Sequence, residues 1–281
     1  MPETTPPPME EPPLAEVKTT TKIKNVMTPE EVAAVQRNMG TSAFDNRIQN
    51  TGDRKKADKW LKDTDSESGR FIAIPLSMLE LRKSKAKLTL SEVFLLGYIH
   101  GFQRSNQLGS CRARSLTIAE MFNLSESALS KHFTKIKKIG LVEKMGRGEE
   151  GAFRVNEKTW AILCECHFDP DDAKTLHEWT SKGKFCRIPL WIIRDADLTP
   201  LDKIVFGFVF SFYAGKESIP FRMSTQNAAS ALKVSKSKLR DSLQNLTDLG
   251  LLKKTELGDR IPAEYRIVPE ACYNRGKGLI K

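Results

Sequence analysis

Residues 125–144 read SESALSKHFTKIKKIGLVEK, and residues 235–254 read SKSKLRDSLQNLTDLGLLKK. Each stretch opens on a serine, Ser125 or Ser235. A serine there suits a helix N-cap, because its hydroxyl accepts from the first free backbone N–H groups. Apolar residues then recur at i, i+4 and i+7: Leu129, Phe133 and Ile136 in one copy, Leu239, Leu243 and Leu246 in the other. That spacing defines one face of a helix. Gly140 and Gly250 follow, the residue type that ends helices in a left-handed conformation. Leu141–Lys144 and Leu251–Lys254 then read as the first strands of two hairpins.

The likeness extends outward. Leu88-Thr89 returns 110 residues later as Leu198-Thr199, and the same offset holds without a gap through Lys144 and Lys254. A register kept that long marks a duplicated structural unit. Upstream, Phe71-Ile-Ala-Ile-Pro-Leu76 returns as Phe185-Cys-Arg-Ile-Pro-Leu190, and Gly97 and Phe102 return as Gly207 and Phe212. Thr89 and Thr199 each cap a long apolar helix, with Pro200 at the position where a helix tolerates proline. A loop holding Gly109 or Gly215 comes next, then a short helix over Thr117–Phe122 or Thr225–Leu232 and a tight turn at Asn123-Leu124 or Lys233-Val234. Phe153–Val155 and Tyr265–Ile267 supply the second strands, and Met145–Ala152 and Thr255–Glu264 are the loops between them.

In both copies the order is serine, helix, leucine, glycine-leucine, basic residue, which resembles winged helix-turn-helix domains. The Phe-x-x-Ile-Pro-Leu opening, the Leu-Thr helix start and Gly-Ser-Cys111-Arg-Ala-Arg-Ser115 resemble one subgroup, found in many phage and plasmid replication proteins. Tandem winged helices are also the architecture of many plasmid replication initiators. The resemblance implies an α+β, mainly α fold of two tandem winged helix-turn-helix domains with a partly disordered N-terminal arm. It implies sequence-specific binding of double-stranded DNA, in a plasmid or phage replication initiator. A transcription regulator acting at an operator is the alternative, and a winged-helix scaffold for protein contacts without DNA is a second.

Charge placement agrees with a polyanionic partner. The chain carries a formal net charge of +10, of which residues 70–167 hold +7 and residues 184–270 hold +4, while residues 1–69 and 168–183 each net −2. A basic surface attracts nucleic acid first, although basic cytosolic proteins are common. A helix fits the major groove, where Ser, Lys, Arg and Gln can reach base edges. The candidate contacts in copy one are Ser125, Ser127, Ser130, Lys131, Thr134 and Lys135, with Lys144 and Arg147 from the wing. In copy two they are Ser235, Lys236, Ser237, Lys238, Arg240 and Gln244, with Lys253, Lys254 and Arg260 from the wing. Glu126 and Asp241 share these faces, and His132 is expected to pack near the core of copy one. The outer faces differ: Glu126 matches Lys236, Ala128 matches Lys238 and Lys131 matches Asp241. Different half-sites are therefore expected for the two copies.

Outside the repeat, residues 1–22 are rich in Pro, Thr and Glu and are expected to be disordered. Residues 23–69 form a helical arm, with a capping box at Thr28-Pro-Glu-Glu31 and a charged helix over Asp53–Lys62. The arm is the candidate for contacts with host replication or transcription proteins and for homodimer formation. The domains are expected at 70–167 and 184–270, with a linker at 168–183 holding a short helical turn that packs between them, and a basic tail at 271–281 in which Asn274-Arg-Gly-Lys-Gly is disordered.

Enzymatic readings find little footing. No phosphate-cradling G-x-x-x-x-G-K-[ST] loop, paired-histidine metal motif or nucleophile elbow occurs. Cys164, Cys166 and His167 lack the second ligand pair of a structural zinc site, and five scattered cysteines do not suit a disulfide scaffold. No catalytic residue, metal or cofactor is expected. No apolar run approaches the roughly 20 residues of a membrane span, and the N-terminus lacks the pattern of a secretory signal. The expected location is cytoplasmic, associated with the nucleoid.

Overall fold

The structure is a computed structural model that describes residues 52–63, 70–105, 109–145, 152–181, 184–214, 219–258 and 261–279. It is mainly helical, with small antiparallel sheets. Helix α1 (Gly52–Lys62) precedes the repeat. Copy one runs β1 (Phe71–Pro75), a 3₁₀ segment (Leu76–Arg82), α2 (Leu90–Ser105), α3 (Ser115–Phe122), α4 (Glu126–Lys138), β2 (Val142–Met145) and β3 (Ala152–Val155). Helices α5 (Glu157–Leu163) and α6 (Ala173–Ser181) lead to copy two. It runs β4 (Phe185–Pro189), α7 (Leu190–Arg194), α8 (Pro200–Tyr213), α9 (Thr225–Leu232), α10 (Lys236–Asp248), β5 (Leu252–Thr255) and β6 (Glu264–Ile267), and α11 (Pro269–Leu279) closes the chain.

Local chemistry sets the long helices. Thr199 and Asp202 form a capping box that spans Pro200, the first residue of α8. In copy one the Thr89 N–H donates to Glu92 Oε2 at 2.7 Å and the Glu92 N–H donates back to Thr89 Oγ1 at 3.3 Å. Both helices are apolar nearly all round, so each can only sit at the centre of a core. Val93, Leu96 and Ile99 in α2, and Ile204, Val205 and Phe206 in α8, are all buried.

The first strands join the copies. β1 pairs antiparallel with β4 in the register Phe71↔Pro189, Ala73↔Arg187 and Pro75↔Phe185. The Leu76 N–H donates to Lys184 O at 2.8 Å and the Leu190 N–H to Arg70 O at 2.9 Å, so the ladder reads alike from either end. Each long helix then packs on its own strand through a glycine. A Cβ on Gly97 would lie 2.6 Å from Ile74 Cγ1, and one on Gly207 would lie 2.3 Å from Ile188 Cγ1. Both distances are below any contact a real Cβ tolerates, which is why Gly97 and Gly207 recur in register.

Exchange between the copies continues beyond the strands. The 3₁₀ segment of copy one packs on α9 of copy two, and α7 of copy two packs on α3 of copy one. Arg82 Nη1 donates to Lys233 O at 3.1 Å, and Lys233 Nζ sits 2.6 Å from Glu80 Oε1. One hydrophobic core runs through both copies, and Thr51–Lys281 forms one compact unit.

The segments around the repeat are structured too. In 168–183, α6 buries Leu176 and places Trp179 against Trp160 and Phe168, with ring centroids 4.7 and 5.8 Å apart. The tail expected to be disordered is instead helical, because α11 has an apolar side to bury. Cys272 and Gly276 are buried, and a Cβ on Gly276 would lie 2.3 Å from Cη2 of the Trp60 ring. Arg275 ties the tail down through Asp195, which accepts from its Nη2 at 2.9 Å, and through Asp197 at 2.8 Å. The expected charged helix of the arm is α1. It packs on α11 through Trp60, whose ring lies 5.4 Å from that of Tyr273, and its Asp58 accepts from the Tyr213 hydroxyl. The capping box at Thr28 lies outside the described residues.

Candidate nucleic-acid interface

In both copies the two short helices meet at one residue in the left-handed conformation, Asn123 (φ 52°) or Lys233 (φ 55°). Asparagine tolerates this conformation and lysine does so less readily. At Lys233 the ammonium pairs with Glu80, and Arg82 donates to the backbone carbonyl. The next helix is capped as the sequence predicts. Ser125 Oγ accepts from the Ala128 N–H at 3.2 Å, and Ser235 Oγ from the Lys238 N–H at 3.3 Å. Ser127 and Ser237 each add a hydroxyl contact to the cap serine at 3.1 Å.

A buried acid fixes how each of these helices lies on the long helix. In copy one, Glu92 is 3% exposed and takes Lys135 Nζ at 2.8 Å and His132 Nδ1 at 3.4 Å. Burial alone would raise its pKa, but Lys135, the Thr89 N–H and His132 together hold the carboxyl below the usual value. In copy two the equivalent Asp202 accepts from Ser242 Oγ at 2.5 Å and from Asn245 Nδ2 at 3.2 Å. Lys135, one of the expected contacts, is therefore held by Glu92. Its ammonium is spent on Glu92 and on Lys87 O at 3.1 Å, and it positions α4. His132 faces the long helix, as its spacing suggests.

The outward faces carry the other expected residues. Ser127, Ser130, Lys131 and Thr134 are exposed on α4, as are Lys236, Ser237, Lys238, Arg240 and Gln244 on α10. No acidic side chain among the described residues pairs with Lys131, Lys236, Lys238 or Arg240. The Gln244 side-chain amide donates to Asp248 at 2.7 Å. Lys144 and Lys253 are exposed on the hairpins, whereas Lys254 pairs with Glu256 at 2.5 Å. Arg147 and Arg260 lie outside the described residues.

Each hairpin gains a third strand position. Cys111 bridges to Phe153 and Phe221 to Tyr265, through paired backbone hydrogen bonds of 2.7 to 3.0 Å. In copy one this brings the exposed Arg112 and Arg114 beside the hairpin. Lys137 lies over the rings of Phe133 and Phe153, 5.3 and 4.9 Å from their centroids. Burial, and after it the Lys144 ammonium, lowers its pKa, so the end of α4 and the hairpin share one positive patch. In copy two, Tyr265 takes the place of Phe153. Burial raises its pKa, while the nearby Lys254 and Arg240 pull against that rise. Lys137, Lys138, Arg112 and Arg114 are additions to the residues expected from sequence. For Lys137 the readable signal was its i, i+4 spacing from Phe133; for the arginines it was the stretch Gly-Ser-Cys111-Arg-Ala-Arg-Ser115.

Among the described residues no helix is long and apolar enough to cross a membrane, and no group of three His, Cys, Asp or Glu side chains is placed to hold a metal ion. The Cys164 thiol donates to Ser77 O at 3.5 Å, and burial pushes its pKa up to about 12. No protein-family model, curated protein or solved structure matches the chain.

Proposed function

We propose that this chain binds double-stranded DNA through two fused winged-helix units and is not an enzyme. In this reading α4 and α10 enter the groove, the β2–β3 and β5–β6 hairpins are the wings, and the role is initiation of plasmid or phage replication. The observation that carries it is the same in both copies. A serine-capped helix exposes cations that no acidic side chain among the described residues pairs with, Lys131 in α4 and Lys236, Lys238 and Arg240 in α10, and is followed at once by a basic hairpin. Ordinary surface helices tend to pair their charges, and N–H groups at a capped terminus add a positive end suited to phosphate. A cytoplasmic, nucleoid-associated location follows from this role.

The test is binding of the full chain to a labelled random-sequence duplex at several salt concentrations. Affinity should fall steeply as salt rises, since each phosphate neutralised contributes about 0.9 to the slope of log K against log salt. No binding, or binding indifferent to salt, overturns the proposal. Genome-wide occupancy of the tagged protein then decides its biology. One cluster of repeated sites supports initiation, and scattered promoters support transcription control.

A further inference from the structure

We infer that the two copies divide the work on DNA: α10 reads base sequence, and α4 with its hairpin anchors the backbone without reading. This rests on the DNA-binding reading above and goes beyond it by assigning the specificity. Lys, Ser and Thr can touch base edges, but discrimination is strongest from planar side chains that make two parallel hydrogen bonds, the Arg fork to guanine and Asn or Gln to adenine, whereas the Lys ammonium is a point charge. The outward face of α10 holds Arg240 and, one turn on, Gln244, whose amide would exchange its bond to Asp248 for a base. The outward face of α4 holds Glu126, Ser127, Ser130, Lys131 and Thr134, with no Arg, Asn or Gln among them.

Charge order along the helices points the same way. A groove-entering helix contacts bases mainly with its N-terminal residues. The cations of α10 are Lys236, Lys238 and Arg240, all in its first five residues, and its far end carries Asp248. Lysines at a helix N-terminus oppose the helix dipole, so local stability does not explain them. The α4 order is reversed: Glu126 at the start, then Lys135, Lys137 and Lys138 in the last turn, where the dipole favours them. Lys137 is held over two rings beside Lys144, a fixed positive patch at the wing. Such a patch suits phosphates, which carry no sequence information.

The experiment begins with selection of binding sites by the full wild-type chain from a randomised duplex pool. One informative half-site beside a degenerate one is expected. Two equally informative half-sites overturn the division. Variants are then compared on the selected duplex and on a scrambled one. Arg240→Lys keeps the charge and removes the two-pronged contact. It should cut the preference for the selected duplex about ten-fold and leave scrambled binding nearly unchanged. K137A with K138A should weaken both duplexes alike and lower the salt slope by about 1.8. A loss of preference in the α4 variant, with none in Arg240→Lys, reverses the assignment. Failure of the wild-type chain to bind any duplex removes the DNA reading itself, and the division with it.

Discussion

Ala73 of β1 pairs with Arg187 of β4, and the two occupy the same position of the repeat. The ladder is therefore symmetric about them, as it would be at the dyad of a dimer. Fusing both halves in one chain keeps the paired geometry while freeing each outer face to diverge. The Arg187 guanidinium shows one such divergence at the centre itself. It lies 5.3 Å from the ring centroids of both Phe71 and Phe185, where Ala73 has nothing comparable to offer.

Gly207→Ala tests the close approach that seats α8 on β4. The new Cβ would meet Ile188 Cγ1 at 2.3 Å and the Arg187 carbonyl oxygen at 3.0 Å, so side-chain and backbone neighbours must both move. Overpacking of this kind costs about 1–3 kcal/mol. Gly97→Ala meets only the Ile74 side chain, at 2.6 Å, and should cost less. Urea denaturation of both variants checks the order.

Glu92→Gln tests the acid that positions α4. The Glu92 pKa lies below its ordinary 4.5 in the folded chain, so its contribution is complete above that value. It is lost as pH falls through the depressed folded value. The variant should be less stable than wild type by about 1–3 kcal/mol at neutral pH. The gap should close only below about pH 4.5. Paired denaturation curves between pH 3 and pH 7 read this directly; a gap that widens in acid contradicts it.

Much of this arrangement was legible in the sequence because it is local. The cap at Ser125, the stripe Leu129–Phe133–Ile136 and the stop at Gly140 each depend on neighbours within a few residues. The N-caps and the helix over Thr225–Leu232 appear where the pattern places them. What the sequence hid is what depends on distant partners. Lys135 looks like any exposed lysine until α4 is laid on α2 and Glu92 comes within 2.8 Å. The tail around Asn274-Arg-Gly-Lys-Gly reads as disordered because its two glycines oppose a helix. One of them, Gly276, is what lets α11 approach the Trp60 and Trp191 rings. The joining of the copies through β1 and β4 was also hidden, since a five-residue strand gives no sign of its partner.

Arg275→Ala tests whether the tail is part of the core. Asp195 is 2% exposed and would lose its hydrogen-bonded cation, keeping the electrostatic influence of Lys203. Breaking such a pair costs about 3 kcal/mol. The local consequence can be read at Cys272, which lies on the buried side of α11 and whose thiol pKa is pushed up by burial. Its reaction with a thiol reagent should be slow in the wild-type chain and clearly faster in the variant. Equal rates would show that Arg275 does not hold α11 in place.

Ser235→Asp separates the cap of α10 from its proposed contact with DNA. Aspartate caps a helix about as well as serine, whereas alanine there costs about 1 kcal/mol. Ser235→Ala should therefore melt earlier, and Ser235→Asp should melt close to wild type. The carboxylate would place a negative charge at the end of α10, beside the N–H groups offered to a phosphate. Duplex affinity should then fall several-fold in Ser235→Asp while stability stays level. A folded Ser235→Asp chain that binds duplex like wild type would place the start of α10 away from the DNA backbone.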